Sequence, residues 1–232
     1  PDLLEAFLKF CQQYVGDDDV FVTRSCAPKI LTPFKDKPYK FELRDEYTKG
    51  NNPRKIPTVR ATYYHGKPAT RKVLEHFVRT TPVVSKCDHP LCLSRLVMVP
   101  KREPGTAKDS APTSYRVTMN ALINKCLKPT ASQTPLAADE VKKLHHFEYF
   151  LNLDGSQAYW SIPVDKETKG LLAFQTHEGV FTWNRLTMGA MPSSAVQQAA
   201  YNDVLDKYLP ADIRHRFACY VDDIAAGANT LG

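Results

Sequence analysis

Two carboxylates stand side by side, Asp222 and Asp223, between the apolar run Phe217-Ala218-Cys219-Tyr220-Val221 and the small run Ile224-Ala225-Ala226-Gly227. Both flanks read as short buried strands, which leaves Asp222-Asp223 for the tight turn of a hairpin, where acidic residues tolerate unusual backbone angles. Like charges at that distance repel, so one takes up a proton or a cation lies between them, unless the turn is simply solvated. Asp is a common turn residue in proteins of every kind, so the rest of the chain has to decide.

At 232 residues the chain can bury a real core, as one large domain or two small ones. No stretch approaches the roughly 20 apolar residues of a membrane span. Pro1-Asp2-Leu3-Leu4-Glu5 lacks the basic start and cleavage site of a signal peptide, so neither a membrane partner nor secretion is expected. The chain starts in mid-helix and stops just after a strand, and reads as a piece of something longer. Its net charge is +6, and the basic residues from Lys35 to Lys108 crowd the first half, away from the acidic hairpin. That distribution suits a phosphate backbone delivered to metal ions, although charge alone fits a solvated basic surface as well. Six cysteines without a repeating spacing point to reduced thiols in an intracellular protein, for which the cytoplasm is the expected compartment. Cys87 and Cys92 are at most half of a zinc site, with no second pair at ligand spacing.

Leu4, Phe7, Leu8, Cys11, Tyr14 and Val15 form a helical stripe, followed by a solvated loop at Asp17-Asp18-Asp19. Five prolines between 24 and 66 predict an irregular segment, with a short strand at Tyr39 to Leu43. Pro68 to Thr80 predicts a basic helix with Val73, Leu74, Phe77 and Val78 on its apolar side. Leu96-Val97-Met98-Val99 and Tyr115-Arg116-Val117-Thr118-Met119 predict paired strands joined by a basic loop. Further helices are expected at Leu136 to His145, started by Thr134-Pro135, and at Pro192 to Tyr208. Further strands are expected at Phe147 to Leu153, Leu171 to Gln175 and Val180 to Asn184. Helices and strands interleave but hairpins dominate, which favours an α+β fold.

The strand ending at Leu153 runs straight into Asp154, a third carboxylate at a strand end. Three carboxylates converging on a sheet edge make an all-oxygen site, the preference of magnesium. The chemistry that uses such a site is phosphoryl transfer with two metals about 3.5 to 4 Å apart.

Three blocks here resemble reverse transcriptases: Leu153-Asp154-Gly155-Ser156-Gln157-Ala158-Tyr159-Trp160, Asn184-Arg185-Leu186-Thr187-Met188-Gly189-Ala190-Met191-Pro192, and Tyr220-Val221-Asp222-Asp223. Upstream, Thr80 to Ser85 and Ser94 to Lys101 are similar to the fingers of Gypsy-type retrotransposon enzymes. The resemblance implies right-hand polymerase fingers and palm, the palm a ferredoxin-like sheet with helices on one face, ending before the thumb. It divides the chain into a lead-in at 1–66, fingers at 67–130 and an incomplete palm at 131–232. Asp154, Asp222 and Asp223 would be both catalytic residues and ligands of two magnesium ions, with manganese a substitute, and the Gly155 carbonyl a further ligand.

Lys101 and Arg116 would meet the triphosphate, a mobile point charge and a rigid fork respectively. Tyr159, next to Ala158, would lie under the sugar and select deoxynucleotides, while Met188 and Gly189 would line the nucleotide pocket. After Arg116 the family continues through an Asp-Tyr-Arg run, where this chain has Asn120-Ala121-Leu122-Ile123-Asn124. The implied partners are an RNA or DNA template with its primer, deoxynucleoside triphosphates, and a polyprotein carrying thumb, RNase H and integrase. The rival readings are an RNA-dependent RNA polymerase palm, a nucleotide cyclase, which would carry a Gly-Gly-Asp-Glu-Phe turn, and a remnant that only binds nucleic acid.

Overall fold

The computed structural model describes residues 30–49, 54–58, 68–102, 105, 112, 114–130, 134–155 and 157–230. The expected helix over 1–15 and the acidic loop at 17–19 lie outside these residues. Two compact units interleave along the chain: Pro38–Lys128 with Pro163–Met191, and Pro1–Lys37 with Pro129–Ile162 and Pro192–Gly232. Residues 163–191, which the sequence reading groups with the acidic hairpin, therefore belong with 38–128. Among the described residues no helix is long and apolar enough to cross a membrane.

The first unit opens on irregular chain. Tyr39 and Leu43 make only isolated bridges, to Val164 and Leu127, so the expected strand between them does not form. Helix α1, Pro68–Thr80, has the bounds its pattern predicts, with Leu74 and Val78 buried and Arg71, Lys72 and Arg79 exposed. Five strands follow in one mixed sheet: β1 (Val84–Lys86), β2 (Leu93–Lys101), β3 (Ser114–Asn120), β5 (Ala173–Thr176) and β6 (Gly179–Trp183), in the order β1-β6-β5-β2-β3. Along β2, Leu96 and Met98 point inward while Val97 and Val99 are exposed, the alternation of a strand with one covered face. Trp183 is fully buried, with its ring 5.6 Å from Phe77 of α1 and 5.7 Å from Phe174 of β5.

The second unit holds a three-stranded antiparallel sheet of β4 (Tyr149–Asp154), β7 (Phe217–Tyr220) and β8 (Asp223–Ala228), ordered β4-β8-β7. Helix α2 (Ala137–Leu144) and the sheet close over Leu144, Phe147, Ala218 and Ala225. Helix α4 (Ser193–Tyr208) buries residues on most of its circumference and forms the centre of this unit, and the short α5 (Ala211–Arg214) leads into β7.

Several expected boundaries shift: β2 begins at Leu93 rather than Leu96, β4 at Tyr149 rather than Phe147, and two more have a local cause. Helix α2 begins at Ala137 with Leu136 at its N-cap and no side-chain cap, so Thr134-Pro135 do not start it. Asp139 and Glu140 in its first turn favour the positive end of the helix dipole instead. Leu171 closes a short helix, α3 (Lys166–Leu171), rather than opening a strand. Asp165 caps α3 by accepting the Thr168 N–H at 2.8 Å, and β5 starts only at Ala173.

Trp183→Ala removes the ring shared by α1 and β5. It should cost about 3–5 kcal/mol in urea denaturation, the usual range for a fully buried aromatic residue.

Candidate active site

The acidic hairpin lies within the second unit. Tyr220 pairs with Asp223, so the two-residue turn is Val221-Asp222, and Asp223 is the first residue of β8. The sequence reading places both aspartates in the turn; the register moves them by one residue. Val221 takes φ 57° and Asp222 a negative φ, the φ signs of a type II′ turn. That position normally takes glycine, and a β-branched residue there is strained. Two contacts reach the turn from α4: Gln198 Nε2 donates to the Cys219 carbonyl at 2.8 Å, and Gln198 Oε1 accepts the Val221 N–H at 2.6 Å.

Asp154, the last residue of β4, lies directly opposite Asp223 across the β4–β8 ladder. One bond beyond the ladder continues the tie, the Gly155 N–H donating to the Asp222 carbonyl at 2.7 Å. No side chain fits at Gly155: a Cβ there would stand 2.6 Å from the Tyr201 hydroxyl and 2.9 Å from the Asp222 carbonyl. The Gly155 carbonyl accepts the Ala158 N–H at 3.2 Å, which leaves it one further lone pair.

The three carboxylates feel one another. Burial raises the Asp223 carboxyl above its ordinary value, and the charges of Asp222 and Asp154 raise it further. Tyr201, buried beneath them, is raised first by burial and then by Cys219, Asp222 and Asp154. Among the described residues no lysine or arginine forms an ion pair with any of the three aspartates. An acidic cluster with hard oxygen donors and no protein counter-charge fits a divalent cation such as magnesium.

The remaining site candidates divide between the units. Tyr159 and Ala158 share the second unit with the aspartates, on a 3-10 turn at Ala158–Ser161, where the Tyr159 hydroxyl meets Ser194 Oγ at 3.1 Å. Lys101, Arg116, Met188 and Gly189 belong to the first unit. Val99 pairs with Arg116 and Lys101 with Ser114, which puts Lys101 and Arg116 diagonally on the exposed face of β2 and β3.

Gly189 has φ 101°, and a Cβ on it would lie 1.7 Å from the Met119 carbonyl, so both backbone angle and packing require glycine. Asn124 steadies the same loop, donating to the Gly189 carbonyl at 2.7 Å and accepting the Met191 N–H at 2.8 Å. The segment 120–124, unlike the family's run, is thus built into the first unit through the 3-10 turn Leu122–Cys126.

Sequence reasoning missed Gln198, Tyr201 and Glu140. Glu140 is a mostly buried acid on α2 whose Oε2 accepts the Cys219 N–H at 3.4 Å. Two adjacent glutamines on the turn before the polar stripe Asn202, Asp203, Asp206 and Lys207 were the available signal. Cys92 is a buried thiol: burial pushes it up to about 11, and its Sγ donates to the Pro57 carbonyl at 3.3 Å. Among the described residues, the group of metal-capable side chains with donor atoms within 4.8 Å of one another is Glu75, His177 and Glu178. That group is an ion-pair network: Arg71 and His177 hold Glu75, and Arg79 holds Glu178 and keeps its carboxyl below the ordinary range.

Two substitutions probe the acidic turn. Asp223 titrates above its ordinary 3.8, so the folded state holds this proton more tightly than the unfolded chain. The preference favours folding below pH 3.8 and is lost as pH rises through the raised value. Asp223→Asn should therefore melt higher than the wild type near neutral pH, by a margin that closes as pH falls below the carboxylate range. A margin independent of pH would mean that the carboxylates do not interact. Gly155→Ala should cost about 1–3 kcal/mol by overpacking. Adding Tyr201→Phe should recover part of that loss in a double-mutant cycle, because it removes the nearer of the two clashing atoms.

The site and the fold have counterparts among known proteins. An uncharacterized protein of Caenorhabditis elegans is 28% identical over 109 residues, which is 47% of this chain and 8% of that one. The Pro-Pol polyprotein of Simian foamy virus type 1 is 29% identical over 102 residues, 44% of this chain and 8% of the polyprotein. The enzymatic polyprotein of Cauliflower mosaic virus is 21% identical over 231 residues, 98% of this chain and 32% of the polyprotein. The chain thus spans a third or less of the length of these relatives.

Among solved structures, a foamy viral protease-reverse transcriptase in complex with double-stranded DNA shares its fold. The TM-score is 0.59 at 22% identity, over 82% of this chain and 30% of that one. The same kind of enzyme in complex with an RNA/DNA hybrid gives a TM-score of 0.58 at 22% identity, over 75% and 22%. The family described as reverse transcriptase (RNA-dependent DNA polymerase) matches residues 99–231, more than half of the chain, and the chain belongs to that family.

Proposed function

We propose that this chain is the fingers and part of the palm of an RNA-directed DNA polymerase from a Gypsy-like retrotransposon polyprotein. The observation that carries the reading is the register that sets Asp154 opposite Asp223, with Asp222 in the adjoining turn and, among the described residues, no lysine or arginine paired with them. Asp154, Asp222 and Asp223 would hold two magnesium ions. Bound there, the ions supply activation of a primer 3′-hydroxyl and stabilisation of the charge that develops on the phosphates.

The chain's own residues orient the rest. Tyr159, hydrogen-bonded to Ser194, presents a ring edge that excludes a ribose 2′-hydroxyl, and the substrates are deoxynucleoside triphosphates. Lys101 and Arg116 on the exposed face of β2 and β3 offer positive charge to the triphosphate. The template is RNA or DNA carrying a primer, the thumb and RNase H come from other parts of the polyprotein, and the site of action is the cytoplasm.

Primer extension on an RNA template by the polyprotein enzyme containing this segment tests the reading. Asp222→Asn should lower extension by more than about a thousandfold while leaving the melting transition intact. Tyr159→Ala should raise ribonucleotide incorporation relative to deoxyribonucleotide. Undiminished extension by Asp222→Asn would refute the assignment.

A further inference from the structure

Helix α4 buries nine of its sixteen residues, leaving Asp203, Asp206 and Lys207 exposed, and Gln198 is among its most deeply buried side chains. A primary amide in that position is costly unless its donor and acceptor atoms find partners. Gln198 finds its partners on the acidic hairpin, among them two backbone groups, the Cys219 carbonyl and the Val221 N–H. These two groups flank Tyr220, where β7 ends and the left-handed residue begins. Cys219 is held on its other side as well, since its N–H is donated to Glu140 of α2. The hairpin's last turn is thus gripped by side chains from two helices.

The grip is needed because the turn is unfavourable by itself. Val221 carries a branched Cβ at φ 57°, a conformation that costs about 1–3 kcal/mol and persists only when the surroundings over-determine it. Strand pairing from Tyr220 to Asp223 fixes the loop length but leaves its two central residues free to choose another turn type. Another turn type would point the Asp222 carboxylate in another direction.

We propose that Gln198 is a positioning residue of the acidic site: its amide holds Val221 in the left-handed conformation and so sets how Asp222 projects relative to Asp154 and Asp223. The proposal rests on the reading of the three aspartates as a divalent-cation site. Gln198 acts on Asp222 through the hairpin backbone, holding the Cys219 carbonyl and the Val221 N–H on either side of Tyr220.

The experiment uses the whole 232-residue chain in wild-type, Gln198→Leu and Gln198→Glu forms. It measures Mn2+ binding by loss of the free-ion spin-resonance signal, hydrogen exchange at the Val221 amide, and thermal melting. In the wild type the Val221 amide should exchange at least about tenfold more slowly than a free turn amide. Gln198→Leu should abolish that protection and weaken Mn2+ binding by about tenfold or more, as loss of a group orienting metal ligands commonly does, with a melting transition still cooperative.

Gln198→Glu keeps an acceptor for the Val221 N–H and should recover most of both. Wild-type Mn2+ affinity in a folded Gln198→Leu chain would overturn the proposal. So would an unprotected Val221 amide in the wild type, a result that stands even if Gln198→Leu does not fold. Absence of Mn2+ binding by the wild type, with Val221 still protected, would instead overturn the metal-site reading and the positioning role with it.

Discussion

Three negative charges are kept side by side at one end of a small sheet by neutral backbone groups. The ladder that pairs Asp154 with Asp223, extended by the Gly155 N–H to the Asp222 carbonyl, does not weaken when the carboxylates repel. Directly opposed like charges ordinarily destabilise a strand pair. Here the opposition is tolerated because the hydrogen bonds that fix it are locked by packing beneath, where the Tyr201 hydroxyl fills the place of a side chain at Gly155. The buried face of the second unit thus serves its exposed edge. Repulsion that costs stability in the protein alone is what a divalent cation at the proposed site would relieve.

Much of this was readable in the residues. Apolar and β-branched runs located β2, β3 and the hairpin strands to within a few residues, and the expected helix Pro68 to Thr80 matches the bounds of α1. The three aspartates were identifiable because acidic residues at strand ends between apolar runs are hard to explain by packing. The position of the turn was not, because moving a two-residue turn by one position shifts the strand pairing by two residues and leaves every side chain on the same face. Helix α3 hid because six residues are too few to show a helical period, and only the Asp165 cap announced it.

The supporting residues were illegible for a different reason. Gln198 and Tyr201 act through partners far away in sequence, and a polar residue on a helix looks solvated until its burial is known. Asn124 belongs with them: a residue in an irregular segment turns out to hold the Gly189 loop by both of its amide atoms. Gly189 itself was legible as a glycine of consequence, but the reason for it, a carbonyl oxygen of β3 standing where a Cβ would be, is a purely tertiary fact.

The strand order of the five-stranded sheet sets a timetable for synthesis. Strand β1 has its ladder partner only in β6, and β2 reaches β1 only through β5 and β6, so strands made early wait for strands made late. Until Trp183 has left the ribosome, α1 lacks the ring that packs at a tilt against Phe77, and the β2–β3 pair stands as a ribbon with an open edge. Non-local pairing of this kind folds slowly and exposes strand edges meanwhile. A nascent chain of this kind is most vulnerable to association between the emergence of β3 and that of β6, well before the acidic turn has been translated.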